Sequence, residues 1–383
     1  MAFPCDPLAL TRALVAEDSR NPSLVPGAPG EGACAHRLAE ILEGWGFRVT
    51  EQEVAPGRWN VVARIGPAGR TPLVLNGHLD VVGVEGMTHP PFAPEERDGR
   101  LYGRGSADMK GGVAAMCVAA ARAAARGALA SEVLVAAVCD EEFASIGTAA
   151  LLAAGVEAAG AVVTEPTRLA VVPVHKGFAG IEVTLTGRAA HGSRYDLGRD
   201  ANRDAAALLM AVDRFEREQL AQRTHPRLGR ASIHAGMVTG GTGWSTYAAQ
   251  CVVRLERRTL PGEDTAQALA EIEALCAQVA AERPGVAATA RVVFAQPPLA
   301  LSEEAPLVGA LQRAGVAAGE TLGLDGLSCW TDAALFQAAG IPAVCFGPGD
   351  IGVAHAATEW LPVDELHRAT AVLEALCAGW GRA

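Results

Sequence analysis

The sequence predicts an α/β protein carrying a smaller α+β insert, and three observations lead there. The segments PLVLNGHLDVV, SEVLVAAVCDEE and GAVVTEP hold Val and Leu in runs with no polar break, as strands buried on both faces do. Helical stretches alternate with those runs, which is the rhythm of a sheet covered by helices. After about Lys176 the order becomes strand, helix, two strands and helix, an arrangement suited to a two-layer α+β unit.

The elements follow in order. Residues 6–20 and 31–46 place apolar residues at helical spacing, separated by the Pro- and Gly-rich NPSLVPGAPGEG. Strands are expected near 47–54, 59–65 and 72–76. Beyond Asp108, VAAMCVAAARAAARGAL is rich in Ala and free of breakers, so a buried helix is expected. Strands at 132–138 and 161–164 alternate with further helical stretches. In the insert, GIEVTLTGRA, 231–238 and 249–258 read as strands, and 200–221 and 263–283 as helices. From about 289 the chain returns to α/β character, with helices near 305–318 and 331–339 and a strand at 342–346. The expected division is 1–176 and 288–383 as one discontinuous catalytic domain, with 177–287 as a lid between them.

Composition narrows the function. A chain of 383 residues suggests about two or three domain-sized units, and the 50% hydrophobic content supplies a large core. A net charge of -11 with dispersed Arg argues against nucleic-acid and anionic-membrane partners, which need clustered cations. Nine widely spaced cysteines with no CxxC exclude a zinc ribbon and suit a reducing compartment. The first residues lack a basic, then apolar, leader pattern, so a soluble cytoplasmic protein is expected.

Five short motifs carry the chemistry: GHLD at 77–80, ADMKGG at 107–112, CDEEF at 139–143, VTEP at 163–166 and AHAATEW at 354–360. Most end an apolar run, and in open α/β sheets the carboxyl ends of strands meet at one site. A lone acid at a strand end is more simply a surface residue; five such motifs together are not. His78 and Asp80 are two apart, so they share a face, and a carboxylate there can accept the imidazole N–H left over from metal binding. Asp108 could equally cap the helix that follows it. YGRGSADMKGG lacks the GxxxxGK[ST] spacing of a phosphate loop. Adjacent Glu141 and Glu142 point in opposite directions, so one can hold a metal while the other faces water. His78, Asp108, one of Glu141 and Glu142, Glu165 and His355 make two His and three carboxylates, the inventory of a two-metal hydrolytic site.

In this order the motifs resemble the dizinc metallopeptidase family that includes acetylornithine deacetylase, succinyl-diaminopimelate desuccinylase, aminoacylase and glutamate carboxypeptidase. The resemblance covers essentially the whole chain, and the lid stretch is most similar to acetylornithine deacetylase-like members. It implies a zinc-exopeptidase-like catalytic domain, with a mixed central sheet flanked by helices, and an inserted two-layer lid and dimerisation domain. It implies two divalent metal ions, zinc or alternatively cobalt or manganese: His78 and Glu165 on one, Glu142 and His355 on the other, and Asp108 bridging. Asp80 would orient His78 and Glu141 would be the general base. His191, in GRAAHGS, matches the position that reaches the reacting carbonyl oxygen, typically from the opposite subunit of a homodimer. Arg258, in LERRTLPGED, matches the arginine that grips the substrate carboxylate, with Arg257 on the other face of its strand. Gly240 and Gly241 would form a lid turn near the substrate. A non-proline cis peptide is expected between Asp108 and Met109.

The expected reaction is hydrolysis of the amide of a small N-acyl amino acid by a metal-activated water. A dipeptidase or carboxypeptidase with the same metals is the alternative, and a silent amino-acid-binding relative is a third reading that the intact motif set disfavours. Two departures bear on specificity. Ser245, Thr246 and Tyr247 stand where many relatives have Asn and Pro, and Thr358 stands where Asn or Asp often precedes the Glu359 position.

Overall fold

The structure is a computed structural model in which residues 3–382 are described. The chain divides into two compact units, Met1–Pro173 with Leu301–Asp325 and Thr331–Ala383, and Val174–Ala300 with Gly326–Trp330.

The first unit is built on a mixed sheet. Its strands lie in the order Arg48–Ala55, Arg58–Ile65, Val133–Val138, Leu73–His78, Gly160–Val163, Ala343–Cys345 and Val171–His175, the last leading into the second unit. The four strands from Val133–Val138 to Ala343–Cys345 are parallel, and antiparallel pairs flank them. Every residue of Leu73–His78, Val133–Val138 and Gly160–Val163 is buried, which is why residues 73–75, 133–138 and 160–163 read as apolar runs. His78 sits opposite Val138, and Asn76 opposite Val163, so the three strands end together. The residues that follow, 139–142 and 164–165, therefore gather at one edge.

Helices cover this sheet: Pro7–Val15, Gly32–Gly44, Gly111–Ala125, Ile146–Ala153, Pro306–Ala317, Ala333–Ala338 and Val363–Gly379. The first stops at Val15 rather than running to residue 20. Its continuation pairs with the chain after His78: Ser19 Oγ donates to Leu79 O at 2.6 Å and Asn21 N to Val81 O at 2.9 Å. Gly111–Ala125 buries almost its whole surface, as its Ala content foretells. At Gly112 a Cβ would lie 2.0 Å from Thr164 O, so glycine lets this helix start against the end of Gly160–Val163. A small sheet of Glu95–Arg97, Arg100–Tyr102 and Trp360–Pro362 adds a hairpin whose turn, Asp98–Gly99, has φ of 52° and 72°.

The second unit is a four-stranded antiparallel sheet in the order Ser232–Gly240, Gln250–Thr259, Gly177–Thr186 and Ala287–Gln296. Ala201–Glu218 and Thr265–Glu282 pack on it, and Ile181, Val183, Leu185, Leu208, Phe215, Val253 and Ile272 share one core. The sequence expectation ended this unit at 287 and returned the chain to the other domain; the structure carries the unit on to Ala300. Ala287–Gln296 pairs with residues 178–186, but as an edge strand it has no buried residue and is Ala-rich, so it lacks a strong apolar signal. No described helix is long and apolar enough to cross a membrane.

Candidate metal centre

The five expected ligands converge in two overlapping groups, His78 with Asp108 and Glu165, and Asp108 with Glu142 and His355. Within each group one ligand atom per residue lies within 4.8 Å of the others. His78 ends its strand, Glu142 and Glu165 follow theirs, and Asp108 stands just before the helix Gly111–Ala125. His355 comes from the loop before Trp360–Pro362 and has a positive φ of 61°. The Asp108–Met109 peptide is cis.

Asp108 sits between the two histidines. His78 Nε2 is 3.2 Å from its Oδ1, and His355 Nε2 is 3.3 Å from its Oδ2. His355 Nε2 also lies 3.0 Å from Glu142 Oε2, and His78 Nε2 lies 4.0 Å from Glu165 Oε1. His78, Asp108 and Glu165 are buried, whereas the His355 side chain is 52% exposed, so the cluster opens on that side.

The electrostatics call for cations. Burial and the charge of Glu165 push the Glu141 carboxyl well above the usual carboxylate range. Burial and the charge of Asp108 do the same to Glu165, and raise Glu142 to about 7. Hydrogen bonds to Asp108 and Glu142 raise His355 to about 10. Burial opposes ionisation of His78, but its bond to Asp108 and the nearby carboxylates push it well above the ordinary imidazole value. Burial would lift Asp108 too, yet its bonds from both histidines hold it below the carboxylate range. Crowded carboxylates that hold protons at this cost are a donor set for divalent cations, which supply the missing positive charge. The residues fit a two-cation site: oxygen and imidazole ligands, Asp108 shared, and an exposed approach beside His355.

Asp80 does not hold His78 in the way its spacing suggests. His78 Nδ1 is 2.9 Å from the Asp80 main-chain carbonyl and 3.7 Å from its carboxylate. The carboxylate instead accepts the main-chain N–H of Glu141 at 3.1 Å, that of Glu142 at 3.2 Å and the Asn21 amide at 2.8 Å. The turn that follows Val138 points these amides at Asp80, and they satisfy it in place of the imidazole. Glu141 belongs to neither ligand group; its side chain is 10% exposed, with Oε2 4.0 Å from His78 Nε2.

Several supporting residues escaped the sequence reading. Arg58 binds Glu31 bidentately and reaches Asp140 at 2.9 Å, while Asn21 joins Asp140 to Asp80. Asp332 is buried behind the cluster, accepts from Thr148 Oγ1 at 2.6 Å, and is raised to about 6 by burial. Glu359 belongs to AHAATEW, but its partners, Arg104 and the amides up to Asp108, are remote in sequence. A cavity of about 620 Å³ in the first unit lies elsewhere: Thr71, Ala159 and Pro342, at the opposite ends of the strands, line it.

In the second unit, His191 is exposed on a loop, with Nδ1 2.8 Å from Ser193 Oγ. Arg257 is buried, with ion pairs to Glu263 at 2.7 Å and Glu271 at 3.1 Å. Arg258 faces the other way, half-exposed, bonded to Glu256 at 2.6 Å and stacked over Phe178. Gly240 ends an exposed edge strand and Gly241 has φ of 84°.

Residues 74–378 match Peptidase family M20/M25/M40. The chain is 32% identical over 343 residues to acetylornithine deacetylase of Myxococcus xanthus, covering 87% of this chain and 88% of that one. It is 26% identical over 376 residues to N-formyl-4-amino-5-aminomethyl-2-methylpyrimidine deformylase of Bacillus subtilis, covering 90% and 88%. The solved structure of aminopeptidase PepT from Bacillus cereus shares the fold, with a TM-score of 0.79 at 20% identity over 99% of each chain. A family match over most of the chain, joined to the two-group donor cluster, makes this protein a member of Peptidase family M20/M25/M40 and a metal-dependent amidohydrolase.

Proposed function

We propose that the protein hydrolyses the amide of N-acyl amino acids, with acetylornithine-like substrates favoured. The observation that carries this reading is Glu141, a nearly buried carboxylate beside both ligand groups and part of neither. Bound divalent cations, which we take to be zinc, would supply Lewis acidity that polarises the amide carbonyl and acidifies water. They would be held by His78, Asp108 and Glu165 and by Asp108, Glu142 and His355. Glu141 takes the proton of the attacking water on its carboxylate and returns it to the leaving amine nitrogen. Asp80 holds Glu141 and Glu142 through their main-chain amides, so base and ligand move as one turn.

His191 is assigned to the reacting carbonyl oxygen and Arg258 to the substrate carboxylate, with Gly240 and Gly241 in the adjoining turn. The outward-facing guanidinium of Arg258, beside the internally paired Arg257, supports the choice between the two. A homodimer through the second unit is part of the same reading. Its support is the unpaired edge of Ser232–Gly240, where Met237 and Val238 are 54% and 51% exposed, together with the fully exposed Trp244. The nine cysteines, none in a disulfide, suit a reducing cytoplasm.

The test is turnover of a panel of N-acetyl, N-succinyl and N-formyl amino acids and dipeptides by zinc-loaded protein. Cleavage of an N-acyl amino acid in preference to dipeptides is the expected result. Dipeptide cleavage alone would make the protein a peptidase and overturn the deacylase reading.

A further inference from the structure

Glu359 is wholly buried four residues after His355, and its carboxylate is saturated. It accepts from Arg104 Nη1 at 2.6 Å and from the main-chain amides of Gly105, Ala107 and Asp108, each at 3.1 Å. Arg104, 2% exposed, also donates from Nε to Gly83 O at 3.0 Å. The chain at Gly105 is left-handed, with φ of 79°, which helps turn successive amides toward one acceptor.

The placement of these bonds matters more than their number. His78, Glu142 and Glu165 stand at or just beyond the ends of strands that the sheet ladder holds in register. Asp108 and His355 stand on no strand of that ladder: Asp108 lies in the short, irregular turn Ser106–Lys110 and His355 in the loop after Ile351–Val353. Glu359 bonds the amide of Asp108 itself, and it leads into Trp360–Pro362, which pairs with Arg100–Tyr102 just before Arg104. One side chain thus ties the loop of the shared ligand to the segment of the exposed histidine.

We propose that Glu359 is a positioning residue for the Asp108, Glu142 and His355 group, setting Asp108 and His355 in one frame through Arg104 and the loop amides. The inference rests on the two-cation reading of the site. A plain buried ion pair with Arg104 would stabilise the fold without touching cation geometry. Glutamine separates these cases: its amide turns a donor toward Arg104 or the loop N–H groups, so the frame loosens while side-chain volume is kept.

The experiment compares wild type with Glu359→Gln after chelation. It measures zinc stoichiometry and affinity by calorimetry, the visible spectrum of the cobalt-loaded form, and the melting temperature of the cation-free form. Wild type is expected to bind two cations. Glu359→Gln is expected to bind one of them about 10- to 100-fold more weakly, the usual cost of losing support behind a ligand, with an altered cobalt spectrum. Two cations bound with wild-type affinities and an unchanged cobalt spectrum would overturn the inference, even if melting falls. Wild type that binds fewer than two cations would overturn the two-cation reading instead. If Glu359→Gln does not fold, Glu359→Asp carries the test, since it keeps the charge but is one methylene too short for all four bonds; unchanged affinities there would also refute the positioning role.

Discussion

The main-chain amides of Glu141 and Glu142 both donate to Asp80, so one buried carboxylate fixes the turn that bears two others. Asp80 is in turn tied through Asn21 to Asp140, and Asp140 to Arg58 and Glu31. Such a network keeps the paired acids apart in purpose as well as direction. Glu141→Gln preserves the shape and removes the proton acceptor, so kcat should fall about 10²- to 10⁴-fold while both cations remain bound. Steady-state kinetics with metal analysis checks this; loss of a cation would make Glu141 a ligand instead of a base. His78 and Asp80 were legible as a pair from their spacing, but the atoms that meet were not. Two residues on one face can bond through side chain or main chain, and the turn after Val138 decided it by offering Asp80 better donors.

At the scale of elements, close approach of backbones sets the site. Gly112→Ala would place a methyl 2.0 Å from Thr164 O, forcing apart the helix that Asp108 precedes and the strand that Glu165 follows. A loss of about 1–3 kcal/mol is expected from such overpacking. Gly44→Ala, at a helix end with nothing within 4 Å of the new methyl, should instead gain about 0.4–1 kcal/mol. Urea midpoints of the two variants should move in opposite directions. Glu263 gives a pH-dependent counterpart in the second unit. Burial works against its ionisation, but Arg257, the Leu260 amide and Arg223 outweigh it and hold its carboxyl below the ordinary 4.5. A folded value below the unfolded one means the stabilisation is present above about pH 4.5 and is lost as pH falls through the folded value. Glu263→Gln should therefore melt lower than wild type at pH 7, with the gap closing in acid; a constant gap would show that the carboxylate charge is not what stabilises. The hairpin at Asp98–Gly99 is missing from the sequence expectations, because its strands are too short and exposed to announce themselves, although Asp-Gly suits its tight turn.

For the whole molecule, seven of the nine cysteines are buried, and Cys5 and Cys329 are partly exposed. Burial also lifts thiols such as Cys276, to about 11, and Cys377, to about 12, so little reactive thiolate exists inside. Maleimide at neutral pH should add at most twice to the native protein and nine times after denaturation, read by intact mass; more native adducts would mean that the core opens. The order of five motifs, the buried-strand runs before them and the inventory of two histidines and three carboxylates were determined by the sequence alone, since they depend on local pattern and residue chemistry. The second unit's boundary, the partner of Asp80, the Arg58 network and the grip of Glu359 on the Asp108 loop were decided only by the tertiary structure. Each depends on groups tens to hundreds of residues apart, and which donor meets which acceptor follows from strand register and helix approach, not from spacing along the chain.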